Sequence, residues 1–301
     1  MAVADWIRIA ILSLVWGGSF FFVEVMLEAM PPMTSVLSRL LIGLVGLVCL
    51  LKVLGYSLKT IFEQWRSFAF IGLINNAIPF SLISFGQTEI TGSLASIINA
   101  STPILTALVA HHFTLDERLS VSKVVGICFG FCGVLVLFGP AAFAVDASLL
   151  GMTAGLTATI CYAFGSVYSK RLKSNPPMLN ATGQVFYGTL WIFPAVMLLD
   201  QPWTLPTPRL EPWLAMLGIG FLSTTLAFFL YFRILQTAGA SNVVLVTFLV
   251  PISASGLGMA FLGEELAVQH IIAYLMIASG LAVIDGRIVA KLSSLRLKSY
   301  F

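Results

Sequence analysis

Residues 70–86 read FIGLINNAIPFSLISFG, and residues 218–234 read GIGFLSTTLAFFLYFRI. Laid over one another at an offset of 148 (220 − 72), Gly72 meets Gly220, Asn75-Asn76 meets Ser223-Thr224 and Phe80 meets Phe228. The match continues with Ser93 over Ser241, Pro103 over Pro251 and Asp116-Glu117 over Glu264-Glu265. A slightly smaller offset lays Pro31-Pro32-Met33 over Pro176-Pro177-Met178, and Trp16-Gly17 over Tyr162-Ala163. The chain therefore reads as two copies of one unit, expected at 1–145 and 146–301. Both stretches are apolar for too long, and alternate too little, to be barrel strands. Apolar runs of about 20 residues cross a bilayer as helices.

Composition says the same of the whole chain. Hydrophobic residues make up 58% and charged residues 10%, where a soluble domain carries roughly 25% charged. Mean hydropathy is +0.98. A soluble fold of 301 residues has too little interior for so much apolar surface. Runs of spanning length are expected at 6–28, 33–52, 67–87, 92–112, 121–139, 149–169, 179–199, 211–232, 239–262 and 268–286. The joins carry proline or charge: Pro31-Pro32, Asp116-Glu117-Arg118, Pro176-Pro177 and Glu264-Glu265. No small-x-small cleavage site follows Val25, so the first run is expected to be retained as a span.

Threading ten spans puts loops alternately on two sides. Arg8, Lys52, Lys59, Arg66, Arg118, Lys123, Lys170, Arg171, Lys173, Arg233, Arg287, Lys291, Arg296 and Lys298 fall on one side, and only Arg209 on the other. Basic loops stay in the cytoplasm, so both termini are expected there. Each copy holds five spans, an odd number, so the second enters the membrane inverted. The fold class expected is all-α integral membrane: ten transmembrane helices as two inverted five-helix repeats around a central cavity. Inverted repeats characterise transporters, with the solute site between them near the midplane. The basic residues are spent on membrane orientation, so no nucleic-acid partner is implied; the partners expected are the lipid bilayer and a small-molecule solute. The sequence sets no oligomeric state, since Gly126 and Gly130 serve packing within one chain equally well.

The polar residues inside spans are mostly neutral. Asn75, Asn76, Asn99, Thr224 and Asn242 offer amides and a hydroxyl at mid-span, and Trp16, Phe20, Phe80, Tyr162 and Phe228 offer aromatic faces. Neutral donors and acceptors beside aromatics suit an uncharged or zwitterionic solute; interhelical bonding is the plainer use of the same groups. Arg39 is the one basic residue well inside a span, seven residues past Pro32, or about 10 Å deep. Glu24 stands seven residues before Pro31, at similar depth. Intramembrane charges are normally paired, so a Glu24–Arg39 ion pair is expected near the outer mouth, as a helix lock or a gate. One arginine is too few for a phosphorylated solute. No carboxylate or histidine sits mid-span, so facilitated transport is expected rather than proton coupling. Pro103 and Pro251 occupy matching positions, where each removes a backbone donor; a matched pair of helix breaks, as hinge or simple kink, is expected. Cys128 and Cys132 share a helix face without His or carboxylate, and with Cys49 and Cys161 they read as packing residues. No metal, cofactor or catalytic set is called for.

Trp16-Gly17-Gly18-Ser19-Phe20 resembles the first-helix motif of the EamA family of the drug/metabolite transporter superfamily. Pro31-Pro32 with Arg39-Leu40-Leu41 resembles its second-helix pattern, and Ser101-Thr102-Pro103 with Leu115-Asp116-Glu117-Arg118 its fourth helix and following loop. Gly133-Val134-Leu135 is similar to the end of its repeat, and Pro251, Gly263-Glu264-Glu265 and Gly280 carry the pattern through the second copy. Tyr162 departs by standing where a second tryptophan belongs. The resemblance implies two inverted five-helix repeats, a central cavity and export of amino acids or similar metabolites from the cell across the inner membrane. Within the family the chain is similar to bacterial amino-acid exporters of the YddG type. The alternatives are a drug or quaternary-cation exporter, which would want a cavity carboxylate such as Glu24, and a membrane enzyme or lipid-handling protein, for which no nucleophile, zinc or phosphate motif is present.

Overall fold

The computed structural model describes residues 2–113, 120–138, 148–238, 243, 246–261 and 268–285. Helices coincide with the expected spans: α1 (Val3–Leu27), α2 (Pro32–Val53), α3 (Trp65–Gly86), α4 in two segments (Gly92–Asn99 and Thr102–Phe113), α5 (Val121–Phe138), α6 (Leu149–Leu172), α7 (Pro177–Asp200), α8 (Leu210–Ala238), α9 (Val246–Phe261) and α10 (Val268–Asp285). Seven of these are long and apolar enough to cross a membrane; among the described residues, α5, α9 and α10 are shorter.

Local sequence explains where the helices start and stop. Pro32 and Pro177 occupy the first turns of α2 and α7, where the missing donor costs nothing. The start of α2 is capped from a distance: Thr34 donates its backbone N–H and its hydroxyl to Asp200 Oδ2, at 2.7 and 2.8 Å. Gln201, at φ 46°, turns the chain out of α7.

Packing between helices follows the repeat. With α1 matched to α6, α2 to α7, and so on to α10, each principal contact between the copies has a counterpart. The α1–α9 contact mirrors α4–α6, α1–α8 mirrors α3–α6, and α2–α8 mirrors α3–α7, while α2–α7 and α5–α10 are their own counterparts. Large side chains such as Leu14, Val45 and Leu198 point outward at 54%, 59% and 75% exposure, an apolar exterior that only lipid covers.

Lipid is as apolar as leucine, so burial between helices gains little, and the bundle depends on close approach and interhelical hydrogen bonds. Ser35 and Ser84 join α2 to α3 at 2.8 Å, Ser223 donates to Val15 O of α1 at 2.8 Å, and Trp191 Nε1 donates to Ala69 O of α3 at 2.9 Å. Each such bond is worth roughly 0.6 kcal/mol. At the α3–α7 crossing, a Cβ on Gly72 would lie 2.6 Å from Gly188 N and 2.7 Å from Gln184 O, so only glycine permits that contact.

Two expectations need correction here. The matched helix breaks are not matched: α4 is interrupted at residues 100–101, just before Pro103, whereas Pro251 rides inside α9. Thr102 donates its hydroxyl to Asn99 O at 2.6 Å, which satisfies the carbonyl that Pro103 leaves without a donor, and Ser101 donates its hydroxyl to Ile98 O at 2.7 Å. The regular interruptions are instead π-turns, at Leu73–Ala77 in α3 and Gly218–Leu226 in α8, in the stretches that match at an offset of 148. Lastly, Cys49, Cys128 and Cys132 are exposed on the bundle exterior rather than packed between helices.

Candidate functional site

A cavity of about 150 Å³ lies between the copies. Its described wall comes from α1 to α4 and α6 to α9, and α5 and α10 contribute nothing to it. On α3 alone the wall runs from Asn75 to Gln87, about 18 Å at 1.5 Å per residue. The space is therefore a tall crevice along α3.

One wall residue is charged. Arg39 projects from α2 into the space between α3 and α8, with its guanidinium carbon 4.0 Å from the centroid of the Phe80 ring. Its Nε donates to Thr224 Oγ1 at 3.2 Å and its Nη2 to Ser223 O at 3.3 Å. The π-turn of α8 makes this possible, because an i→i+5 turn frees carbonyls from the helix ladder. Thr224 and Thr225 hydroxyls take up two of them, donating to Ile219 O and Gly220 O at 3.0 and 3.2 Å. Among the described residues no ion pair joins Glu24 to Arg39, contrary to expectation. The reason is lateral: α2 packs on α7 and α8 and meets α1 only slightly, so the arginine turns away from its sequence neighbour. Glu24 is exposed, and its Oε2 stands beside Gly92 at the start of α4.

The remaining wall is neutral. Aromatic faces come from Trp16 against Tyr231, 5.8 Å between centroids, and from Phe80 against Tyr162, 6.5 Å apart and edge to face. Gln87 Nε2 reaches across from α3 to donate to Phe20 O of α1 at 3.0 Å. Beside it, Phe20, Ile90, Ala95 and Val250 pack together.

Of the residues expected to bind solute, Trp16, Phe20, Asn75, Phe80, Asn99, Tyr162 and Phe228 line the cavity, as does Arg39. Asn76 and Thr224 are fully buried behind the wall, at 0% exposure. Glu24, Pro103 and Pro251 are absent from the wall, and Asn242 lies outside the described residues. Ser166, Ser169 and Gln184 line the cavity and were not anticipated. Gln184 was discoverable, because it holds the place in the second copy that Arg39 holds in the first (184 − 39 = 145, the offset that aligns the two proline pairs).

The chain matches the EamA-like transporter family over residues 6–139 and again over 149–285, once in each copy. It is 25% identical to YoaV of Bacillus subtilis (strain 168), described as an uncharacterized transporter, covering 89% of this chain and 92% of that one. It is 28% identical to protein PecM of Dickeya dadantii (strain 3937), covering 90% and 89%. A probable amino-acid metabolite efflux pump of Escherichia coli (strain K12) is 25% identical, with 94% and 95% covered. A solved crystal structure superposes with a TM-score of 0.79 at 19% identity, covering 97% of this chain and 100% of that one, which establishes likeness of fold.

Proposed function

The chain belongs to the EamA-like transporter family, and from that premise we propose that it exports amino acids or similar small zwitterionic metabolites by alternating access. The observation that carries this reading is the cavity wall: one guanidinium, no carboxylate among its described residues, and otherwise amides, hydroxyls and aromatic rings. A carboxylate group on the solute answers Arg39, and a neutral remainder leaves no second charge to compensate. A quaternary cation would meet Arg39 with nothing to offset it. A sugar phosphate would find one arginine where it wants several. The name of the Escherichia coli relative points to the same solute class.

In this reading α5, α9 and α10 also span, giving ten helices as two inverted copies, residues 1–145 and 146–301. Both termini lie in the cytoplasm of a cell whose inner membrane holds the protein, because the basic loops fall on that side. The names of relatives such as the Escherichia coli inner membrane transporter YedA agree with that membrane. Transport is facilitative, since none of the described wall residues is an Asp, Glu or His able to carry a proton.

Proteoliposomes loaded with a panel of labelled amino acids test this directly. Efflux of at least one is expected without any proton gradient, and Arg39→Ala is expected to abolish it. Efflux of cationic drugs alone, or strict dependence on a pH difference, overturns the reading.

A further inference from the structure

The pseudo-symmetry sets the α2–α8 crossing against the α7–α3 crossing, and the two can be compared position by position. An offset of 145 lays Arg39 over Gln184 and Gly43 over Gly188, and an offset of 148 lays Asn76 of α3 over Thr224 of α8. The backbone obeys this correspondence. A side chain on Gly43 would strike Thr224, and one on Gly188 would meet Asn76 Cβ at 2.9 Å. Each crossing thus sets a glycine of α2 or α7 against a π-turn of α8 or α3, one helical turn past the residue at 39 or 184.

The hydrogen bonding breaks the correspondence. At the α2–α8 crossing, Arg39 is bonded to Thr224 and to Ser223 O. At the α7–α3 crossing, Asn76 is 0% exposed, and neither its Oδ1 nor its Nδ2 has a hydrogen-bond partner among the described residues. Gln184, itself only 3% exposed, lines the cavity one turn from Gly188 and makes no side-chain hydrogen bond among the described residues. A fully buried amide without a partner is costly. One crossing is therefore satisfied and its counterpart is not, in a state where Phe20, Ile90, Ala95 and Val250 are packed together beside the crevice.

In a transporter built from inverted repeats, the two access states arise as one repeat rocks against the other about the central site. An unpaired polar group in one state and a paired counterpart in the other copy is what such an exchange leaves behind. We infer that Asn76 and Gln184 are a positioning pair of the transport cycle: their side-chain amides bond to each other in the state of opposite access, in which Arg39 releases Thr224. The inference rests on the alternating-access reading and not on the identity of the solute. It gives Gln184 and Asn76 separate work. Gln184 leaves the cavity wall when the pair closes, while Arg39 stays on it, freed from Thr224.

The test reads conformation rather than transport. In a variant with Cys49, Cys128, Cys132 and Cys161 replaced by alanine, Ala95→Cys places a thiol in that packed cluster, and a polar maleimide labels it in nanodiscs, where both faces are open to reagent. Asn76→Leu removes the unpaired amide from the present state and a bond from the other, so both changes favour the present state. Asn76→Leu and Gln184→Leu are each expected to slow labelling about tenfold, and the double variant to be no slower than either single one. Arg39→Met and Thr224→Val are expected to speed it. If Arg39→Met speeds labelling while both leucine variants leave it unchanged, or if their effects multiply in the double variant, the Asn76–Gln184 pair is refuted and alternation of the copies survives. If no variant moves the rate, both are refuted. Where Asn76→Leu fails to fold, the same comparison is read from Gln184→Leu against Arg39→Met.

Discussion

Gly72→Ala probes a close backbone contact between α3 and α7. The added methyl would stand 2.6 Å from Gly188 N, 2.7 Å from Gln184 O and 3.0 Å from the carbonyl carbon of Tyr187. All three are backbone atoms of α7 and cannot rotate away. Ordinary contact begins near 3.4 Å, so α3 and α7 must separate by about 0.8 Å (3.4 − 2.6). Overpacking of this kind costs roughly 1–3 kcal/mol, which lowers the folded-to-unfolded ratio by about 5- to 150-fold. Two other glycines calibrate it. A methyl on Gly220 would meet the β-branched carbons of Ile42, which are held by the α2 backbone, and one on Gly256 would meet nothing within 4 Å. Alanine in a helix is favoured over glycine by about 1 kcal/mol, so Gly256→Ala is expected to stabilise slightly. Thermal unfolding in detergent, followed by size-exclusion of the surviving monodisperse protein, should rank both Gly72→Ala and Gly220→Ala below Gly256→Ala. If Gly72→Ala unfolds at the same temperature as Gly256→Ala, the crossing is not as close as described, and the argument from its symmetry fails with it.

Two further outcomes are expected. Asp200→Ala removes the carboxylate that caps α2 through Thr34 and should cost about 0.5–2 kcal/mol, seen as a lower unfolding temperature with transport retained; Asp200→Asn should recover part of it, and an unchanged unfolding temperature would remove the cap from the account. Arg39→Lys keeps the charge but loses the planar fork that stacks on Phe80 while bonding to Thr224 and Ser223 O, so the apparent KM of the carried solute should rise about tenfold, and an unaltered KM would show that charge alone suffices.

The sequence alone carried the apolar helices, because lipid demands long apolar runs, and it carried the expectation of two copies, the second inverted because an odd number of spans reverses it. It also carried the family resemblance and the position of Arg39, since a charge inside a span stands out against so apolar a background. Which of two adjacent asparagines meets the cavity was decided only in three dimensions. Asn75 lines the wall and Asn76 is buried behind it, because the π-turn at Leu73–Ala77 inserts an extra residue and rotates the face that regular helical spacing would assign. The partner of Arg39 was likewise out of reach of the sequence. Glu24 is its near neighbour along the chain, yet α2 lies against α8, and the hydroxyl of Thr224, 185 residues away, takes the contact instead. Charge, hydropathy and period belong to single helices and survive in one dimension. Pairing between helices depends on which small residues let two backbones touch, and that is settled only when the bundle closes.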